Sequence, residues 1–150
     1  MVKELGARHE RSALVARNLG ILNLDMSRLK EARGFFEQSL AANRALHGER
    51  SSQVARAYLD LAGVSLHEQA VTEARDAVEQ ARRIFAKQIP ASAEDLSATE
   101  VMLARIEIRQ SSLNDAEQRL NQALQQIDRA SRLPLRSICW AISIFSEARR

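Results

Sequence analysis

The chain has 150 residues and a formal net charge of +3, with 45% hydrophobic and 27% charged residues. That balance is ordinary for a folded globular protein of one domain and excludes an intrinsically disordered chain. No glycine follows Gly63, and runs of alternating β-branched residues are missing, which argues against a sheet. The predicted fold class is therefore all-α.

The compartment is predicted from three features of the sequence. Cys139 is the single cysteine, so an internal disulfide is excluded and a reducing environment fits. The first residues lack the apolar core of a signal peptide. The most apolar run, residues 133–145, contains Arg136 and is shorter than the roughly 20 residues that span a bilayer. We therefore expect a cytoplasmic protein with no membrane partner.

The first predicted elements are two helices, over residues 12–25 and 29–46, because apolar residues recur there at helical spacing. In the first helix Leu19 is followed by the small residue Gly20, where a neighbouring helix can approach closely. In the second helix Ala32 is followed four residues later by Phe36, which places both on one stripe. The two helices form one helix-turn-helix unit.

The same signature returns twice, each time after 42 residues. Helices are predicted over 52–68 and 71–89 in the second unit, and over 92–109 and 113–130 in the third. The junctions between units contain Pro90 and the N-capping candidates Ser51, Ser52 and Ser92. The equivalent positions are Leu19, Leu61 and Leu103, then Gly20, Ala62 and Ala104, then Ala32, Ala74 and Ala116, then Phe36, Val78 and Leu120. Such equal spacing indicates internal repeats.

This pattern resembles the tetratricopeptide repeat. In that repeat a leucine is followed directly by a small residue, then by an alanine thirteen residues after the leucine, and then by a large apolar residue four residues after the alanine. "NLGIL" from Asn18 matches this pattern, and Tyr58 occupies its aromatic position, whereas Ser39 replaces its second alanine. The 42-residue interval resembles the kinesin-light-chain-like subtype, whose junction is echoed by "LHGERSSQVA". The resemblance implies a right-handed α-solenoid of about three repeats, over residues 12–53, 54–95 and 96–131. We expect a single domain over 1–150.

After the third repeat, "LPLRSICWAISIF" predicts a C-terminal helix over residues 134–148 that is apolar on most of its circumference. Two interpretations remain open. The helix covers the third repeat like the first helix of an unfinished fourth unit, or it is an exposed patch that pairs with a second copy, as a homodimer, or with sequence missing from this chain. The self-association candidates are Ile138, Trp140, Ile142 and Phe145. No capping helix is predicted before the first repeat, which favours a piece of a longer array.

The sequence offers no catalytic constellation. His67 and Glu68 begin a zinc-binding H-E-x-x-H pattern, but Val71 stands where the second histidine is required. No glycine-rich phosphate loop or nucleophile elbow is present. We therefore expect no catalytic residues, no metal site and no cofactor, and hence a protein that is not an enzyme.

The resemblance implies that the first helix of each repeat lines a concave groove that holds a partner peptide or helix. Candidate groove residues are Arg17, Asn18 and Ile21 in the first repeat, Arg56, Asp60 and His67 in the second, and Met102, Arg105 and Arg109 in the third. Arg105 and Arg109 lie four residues apart and share a helix face. They fit either a solvated surface or a fork for the carboxylates of an acidic peptide.

The predicted function is a protein–protein interaction scaffold, by itself or as the regulatory segment of a larger protein. A helical-repeat nucleic-acid binder is a less favoured alternative. Its support is the excess of 19 arginines over 3 lysines, but 19 acidic residues are interleaved with these bases. A sensor domain that binds a peptide signal is a second alternative. A steep loss of affinity with salt would indicate nucleic acid.

Overall fold

A computed structural model of the chain describes residues 2–88 and 92–131, with side-chain surroundings for 10–88 and 92–128. The described part consists of helices, without a strand, which confirms the all-α class. The helices are α1 (Val2–Asp25), α2 (Leu29–His47), α3 (Ser52–His67), α4 (Val71–Phe85), α5 (Ala93–Arg109) and α6 (Leu113–Ser131). The predicted helix over 134–148 lies outside the described residues.

Two predicted helix boundaries were wrong by more than two residues. Helix α1 begins at Val2 instead of residue 12, because residues 3–11 are mostly good helix formers and Ser12 does not interrupt them. Helix α4 ends at Phe85 instead of residue 89. Its last turn tightens, with the Lys87 N–H bonded to the Ile84 carbonyl at 3.1 Å, and Pro90 disfavours a helical residue before it.

Two of the three predicted serines cap helices, whereas Ser52 is the first residue of α3. The Ser51 hydroxyl accepts a hydrogen bond from the Val54 N–H at 3.3 Å, and Ser92 does the same for the Asp95 N–H at 3.3 Å. Both serines satisfy a donor that the first helical turn leaves free. Gly48, with φ of 79°, ends α2. The junctions between repeats therefore begin new helices where the sequence indicated.

Contacts divide the chain into two compact units, Met1–Ile89 and Pro90–Arg150. In the first unit α1 packs on α2, α2 on α3 and α3 on α4; in the second α5 packs on α6. Each predicted helix-turn-helix pair is therefore confirmed, and the sequential packing is that of a tetratricopeptide-type α-solenoid. The signature alanines at the centre of each pair, Ala32, Ala74 and Ala116, are 0%, 0% and 1% exposed.

The small residue after each leucine is required by close packing. A Cβ atom on Gly20 would lie 2.6 Å from the nearest ring atom of Phe36, which is itself 1% exposed. Ala62 and Ala104 at the equivalent places are fully buried. Ser39, which departs from the alanine of the pattern, donates its hydroxyl to the Ala13 carbonyl at 3.0 Å. The departure therefore adds a hydrogen bond between α1 and α2.

The turn inside each helix pair has the same backbone in all three repeats. Ser27, Gln69 and Ser111 adopt left-handed φ angles of 59°, 62° and 63°. The following N–H reaches the carbonyl five residues back in each case: Arg28 to Asn23 at 2.8 Å, Ala70 to Ser65 at 2.8 Å, and Ser112 to Glu107 at 2.9 Å. This is the Schellman ending, which usually places glycine at the left-handed position.

Arg33 connects three helices through side-chain contacts. From α2, its guanidinium donates to Glu73 of α4 at 2.6 Å, to the Ser65 hydroxyl of α3 at 3.1 Å, and to Glu68 just after α3. The hydrogen bond to Glu68 raises the pKa of Arg33 above its ordinary value, with Glu73 acting in the same direction and burial opposing both. Arg33 is therefore a charged link between the first two repeats.

Replacing Arg33 with alanine is expected to lower the free energy of unfolding by about 1–2 kcal/mol, because it leaves two carboxylates and a buried hydroxyl without their shared donor. Arg33→Lys should recover only part of this loss, since an ammonium cannot reproduce the forked geometry. Urea unfolding measures both. Arg82, half-exposed and paired with Glu79 of its own helix at 3.5 Å, supplies the control. Equal losses in Arg33→Ala and Arg82→Ala would show that the link adds no stability.

Candidate functional site

A cleft of about 750 Å³ lies in the first unit, where the middle of α1, the second half of α2 and the first half of α3 meet. Its volume falls within the range of ligand pockets. The lining residues are Glu10, Arg11, Ala13, Leu14 and Arg17 of α1, Ser39, Asn43 and His47 of α2, and Gln53, Arg56 and Ala57 of α3. The cleft is therefore built by the first helices of two successive repeats and the helix between them.

The 42-residue repeat explains why these residues meet. Arg11 of α1 corresponds to Gln53 of α3, and Leu14 corresponds to Arg56, so matching faces of the two first helices line the same space. Leu14 is 58% exposed in spite of its apolar side chain. The small buried residues at the base, of which Ala57 is one, leave room between the helices. Leu14 therefore gives the cleft an exposed apolar contact beside its polar donors.

Two of the predicted groove residues pair with each other. The Arg17 guanidinium donates to the Asp60 carboxylate at 2.6 Å from Nε and at 3.1 Å from Nη2, which ties α1 to α3. Burial raises the pKa of Asp60 above its usual value, although the hydrogen bond from Arg17 opposes that shift. Asp60 compensates the charge of Arg17, and the other charged residues of the lining are Arg11, Arg56 and the acidic Glu10.

The other candidates of the first two repeats lie elsewhere. Asn18 is exposed and His67 is exposed at the end of α3, and neither lines the cleft. Ile21 is half-buried and packs against a core cluster that includes Phe36 and Val64. The structure therefore brings together Arg17, Arg56 and, through its ion pair, Asp60, and it assigns Ile21 mainly to the core.

The candidates of the third repeat belong to the second compact unit. Met102 is half-buried, and Arg105 and Arg109 are exposed on α5. Two acidic residues of α5 are held by Arg119 of α6, which donates to Glu100 at 3.1 Å and also to the buried Glu107. The hydrogen bond to Glu107 raises the pKa of Arg119. The carboxylate fork at Arg105 and Arg109 stays a prediction.

Sequence reasoning missed nine residues of the cleft: Glu10, Arg11, Ala13, Leu14, Ser39, Asn43, His47, Gln53 and Ala57. The interval of 42 residues would have found one of them directly, because Leu14 is the repeat equivalent of the candidate Arg56. Asn43 and His47 were missed for another reason. They lie on the second helix of the first repeat, and the family resemblance directed attention to first helices alone.

The described residues contain no group of three or more histidine, cysteine, aspartate or glutamate residues that could hold a metal ion. Within the same part of the chain, no helix is both long enough and apolar enough to cross a membrane. The self-association candidates Ile138, Trp140, Ile142 and Phe145 lie outside the described residues.

Comparisons with known proteins agree with the helix pairs. A family model described as tetratricopeptide repeat matches residues 11–87. Among solved structures, the chain is similar to the crystal structure of BtubC (BKLC) from P. vanneervenii, with a TM-score of 0.69 and 22% sequence identity. The match covers 82% of this chain and 49% of that chain, so this chain spans about half of its neighbour's length. No match was found among curated proteins.

Proposed function

Since this chain belongs to the tetratricopeptide repeat family, we propose that it is an interaction scaffold whose cleft between α1 and α3 binds a partner peptide with acidic side chains. Its fold is of the kinesin-light-chain-like type, as the sequence predicted. Proteins of this family generally serve protein–protein interaction and are typically not enzymes. The cleft, with its exposed arginines and exposed leucine, is the observation that supports binding of a peptide with acidic side chains.

The side chains of the cleft define the chemistry of the partner. Arg11 and Arg56 provide forked donors, which suit carboxylates better than a point charge does. Asn43 and Gln53 carry amides that can both donate to and accept from a peptide backbone. Leu14 offers apolar contact. Together they favour a peptide segment in which acidic and apolar side chains alternate or adjoin.

The pair of Arg17 and Asp60 has a positioning role in this proposal. Asp60 is largely buried, with 15% of its side chain exposed, and it fixes one guanidinium at the wall of the cleft. A fixed arginine loses little side-chain freedom when a ligand arrives, which lowers the entropic cost of binding. Arg17 can thus contribute hydrogen bonds from a fixed position, beside the guanidinium donors of Arg11 and Arg56.

Binding of labelled peptides to the full chain tests the proposal. The probes are two fluorescein-labelled peptides of about 12 residues, one alternating glutamate with leucine and one alternating glutamine with leucine. We expect the acidic peptide to bind and the glutamine peptide to bind at least about tenfold more weakly. The double variant Arg11→Glu/Arg56→Glu should lose about 10-fold to 100-fold in affinity for the acidic peptide, measured by fluorescence anisotropy.

Two double variants with the same change in net charge serve as controls. Arg82→Glu/Arg83→Glu changes an exposed part of α4 away from the cleft and should leave binding nearly unchanged. Arg105→Glu/Arg109→Glu tests the alternative fork on α5. Equal losses in all three variants would mean that the peptide senses only net charge, and a loss confined to the α5 variant would move the site there.

The same variants separate the remaining alternatives. Capture of partners from a cell lysate, with half of the sample treated with nuclease, should give a protein partner that survives nuclease and is lost in Arg11→Glu/Arg56→Glu. Capture that collapses with nuclease and falls steeply with salt would identify a nucleic-acid binder.

A role as the regulatory or peptide-sensing segment of a larger cytoplasmic protein rests on the same cleft. Cys139 is the single cysteine of the sequence, and this supports a cytoplasmic location.

A further inference from the structure

Helix α1 carries a second surface, on a different face from the cleft. Val15, Leu19, Leu22 and Met26 are 56%, 37%, 54% and 49% exposed, and their spacing of four, three and four residues places them on one stripe. A hollow of about 300 Å³ adjoins this stripe and is lined partly by Phe35 of α2. Contiguous apolar exposure of this kind marks an interaction surface more often than an ordinary exterior.

The repeat interval shows what kind of surface the stripe is. The residues 42 positions after Val15, Leu19 and Leu22 are Ala57, Leu61 and Val64 of α3. Those three contact α2: Val64 clusters with Phe36, Ala57 clusters with Leu40, and Leu61 packs against both clusters. Helix α3 uses this face to pack on α2. Helix α1 has the equivalent face, and on α1 it is exposed.

We propose that the stripe of α1 binds the C-terminal segment, residues 132–150, of a second copy of this chain. The segment holds the most apolar run of the sequence, and Ile138, Ile142 and Phe145 follow one another at spacings of four and three residues. That pattern predicts one apolar helix face. Its 19 residues are long enough to follow the stripe, which covers three helical turns.

An antiparallel alignment, as between α2 and α3, matches the two partners. With Phe145 opposite Val15, Ile142 comes opposite Leu19 and Ile138 opposite Leu22.

The charged residues at both ends agree with that direction. Arg136 then comes opposite the exposed Asp25, and Glu147 lies within one turn of the exposed Arg11. Such exposed pairs add little affinity, but they select orientation.

The proposed contact joins two different surfaces, so it is heterologous. Each copy has one donor, the C-terminal segment, and one acceptor, the stripe on α1. Contacts of this type form rings if the rotation closes and open chains if it does not. The average mass in solution should therefore rise with concentration.

Sedimentation velocity on the full chain, from about 1 µM to 1 mM, tests the contact. The acceptor variant is Leu19→Lys/Leu22→Lys, and the donor variant is Ile142→Lys/Phe145→Lys. Each alone should weaken self-association about 100-fold, because a buried lysine replaces a central apolar contact. An equimolar mixture of the two variants retains one intact donor and one intact acceptor. The mixture should therefore form heterodimers but no larger assembly.

Leu14→Lys supplies the matched control, because Leu14 is as exposed as the stripe residues but lines the cleft instead. It should leave self-association unchanged. A wild-type chain that stays monomeric to 1 mM would overturn the proposal, and so would a mixture that forms no heterodimer. A donor variant that still dimerises while the acceptor variant does not would indicate pairing of two α1 helices and would also overturn it. Val15→Lys replaces the acceptor variant if circular dichroism shows that the double substitution unfolds.

Discussion

Replacing Phe36 with alanine is expected to lower the free energy of unfolding by about 3–5 kcal/mol. The ring is 1% exposed and lies in a cluster with Ala32 and Val64, so truncation leaves a cavity at the place where three helices meet. Domains of this size are stable by about 5–15 kcal/mol, so the loss is a large share of the total. Urea unfolding followed by circular dichroism would measure it.

The neighbouring residue offers a control for this experiment. Phe35 has the same side chain in the same helix, but it is half-buried and lines the hollow beside the α1 stripe. We expect Phe35→Ala to cost about 1 kcal/mol, since less area is removed from contact. Similar losses at the two positions would contradict the assignment of Phe36 to the core between α1, α2 and α3.

The substitution Gly20→Ala is expected to lower the free energy of unfolding by about 1–3 kcal/mol, although alanine normally strengthens a helix. The new Cβ would lie 2.6 Å, 2.6 Å and 2.9 Å from three atoms of the Phe36 ring. A buried ring cannot move aside without displacing its own neighbours. The overlap therefore outweighs the gain in helix propensity, and the free energy of unfolding falls. Thermal or urea unfolding would show it as a lower midpoint.

The same substitution at Gly63 should have the opposite sign. A Cβ there would meet nothing within 4 Å, so Gly63→Ala should raise stability by about 0.5–1 kcal/mol through helix propensity. A double-mutant cycle identifies the cause at Gly20. In a Phe36→Leu background the smaller side chain should relieve the overlap, and a coupling of about 1 kcal/mol or more is expected. A coupling near zero would contradict steric overlap as the reason.

Much of this fold could be predicted from the sequence because the same packing problem recurs. Ala74 and Ala116 had to be small for the same reason as Ala32, and their equal spacing made that reason visible. The start of α1 could not be predicted in the same way. The repeat interval places Glu10 at the position of Ser52, where α3 begins, but α1 already begins at Val2, and helix propensity decides that earlier start.

The candidate site was only partly predictable, because a groove depends on contacts between repeats. Arg17 and Arg56 were identified from their positions on first helices, and both line the cleft. Their environment was not foreseen. The pairing of Arg17 with Asp60 joins residues 43 positions apart, and nothing in either local sequence indicates that the two side chains meet. Asn43 and His47 were missed because they lie on α2, the second helix of the first repeat.

The left-handed residues Ser27, Gln69 and Ser111 have a consequence for how this protein tolerates change over evolutionary time. A left-handed residue other than glycine costs roughly 1 kcal/mol, and repeat proteins sum such terms over their units. The chain thus holds an unused reserve of stability at three exposed turns, whose left-handed residues do not line the cleft and are open to single substitutions. A lineage that acquired glycine at these turns could accept destabilising changes elsewhere, including new side chains in the binding surface, and still fold.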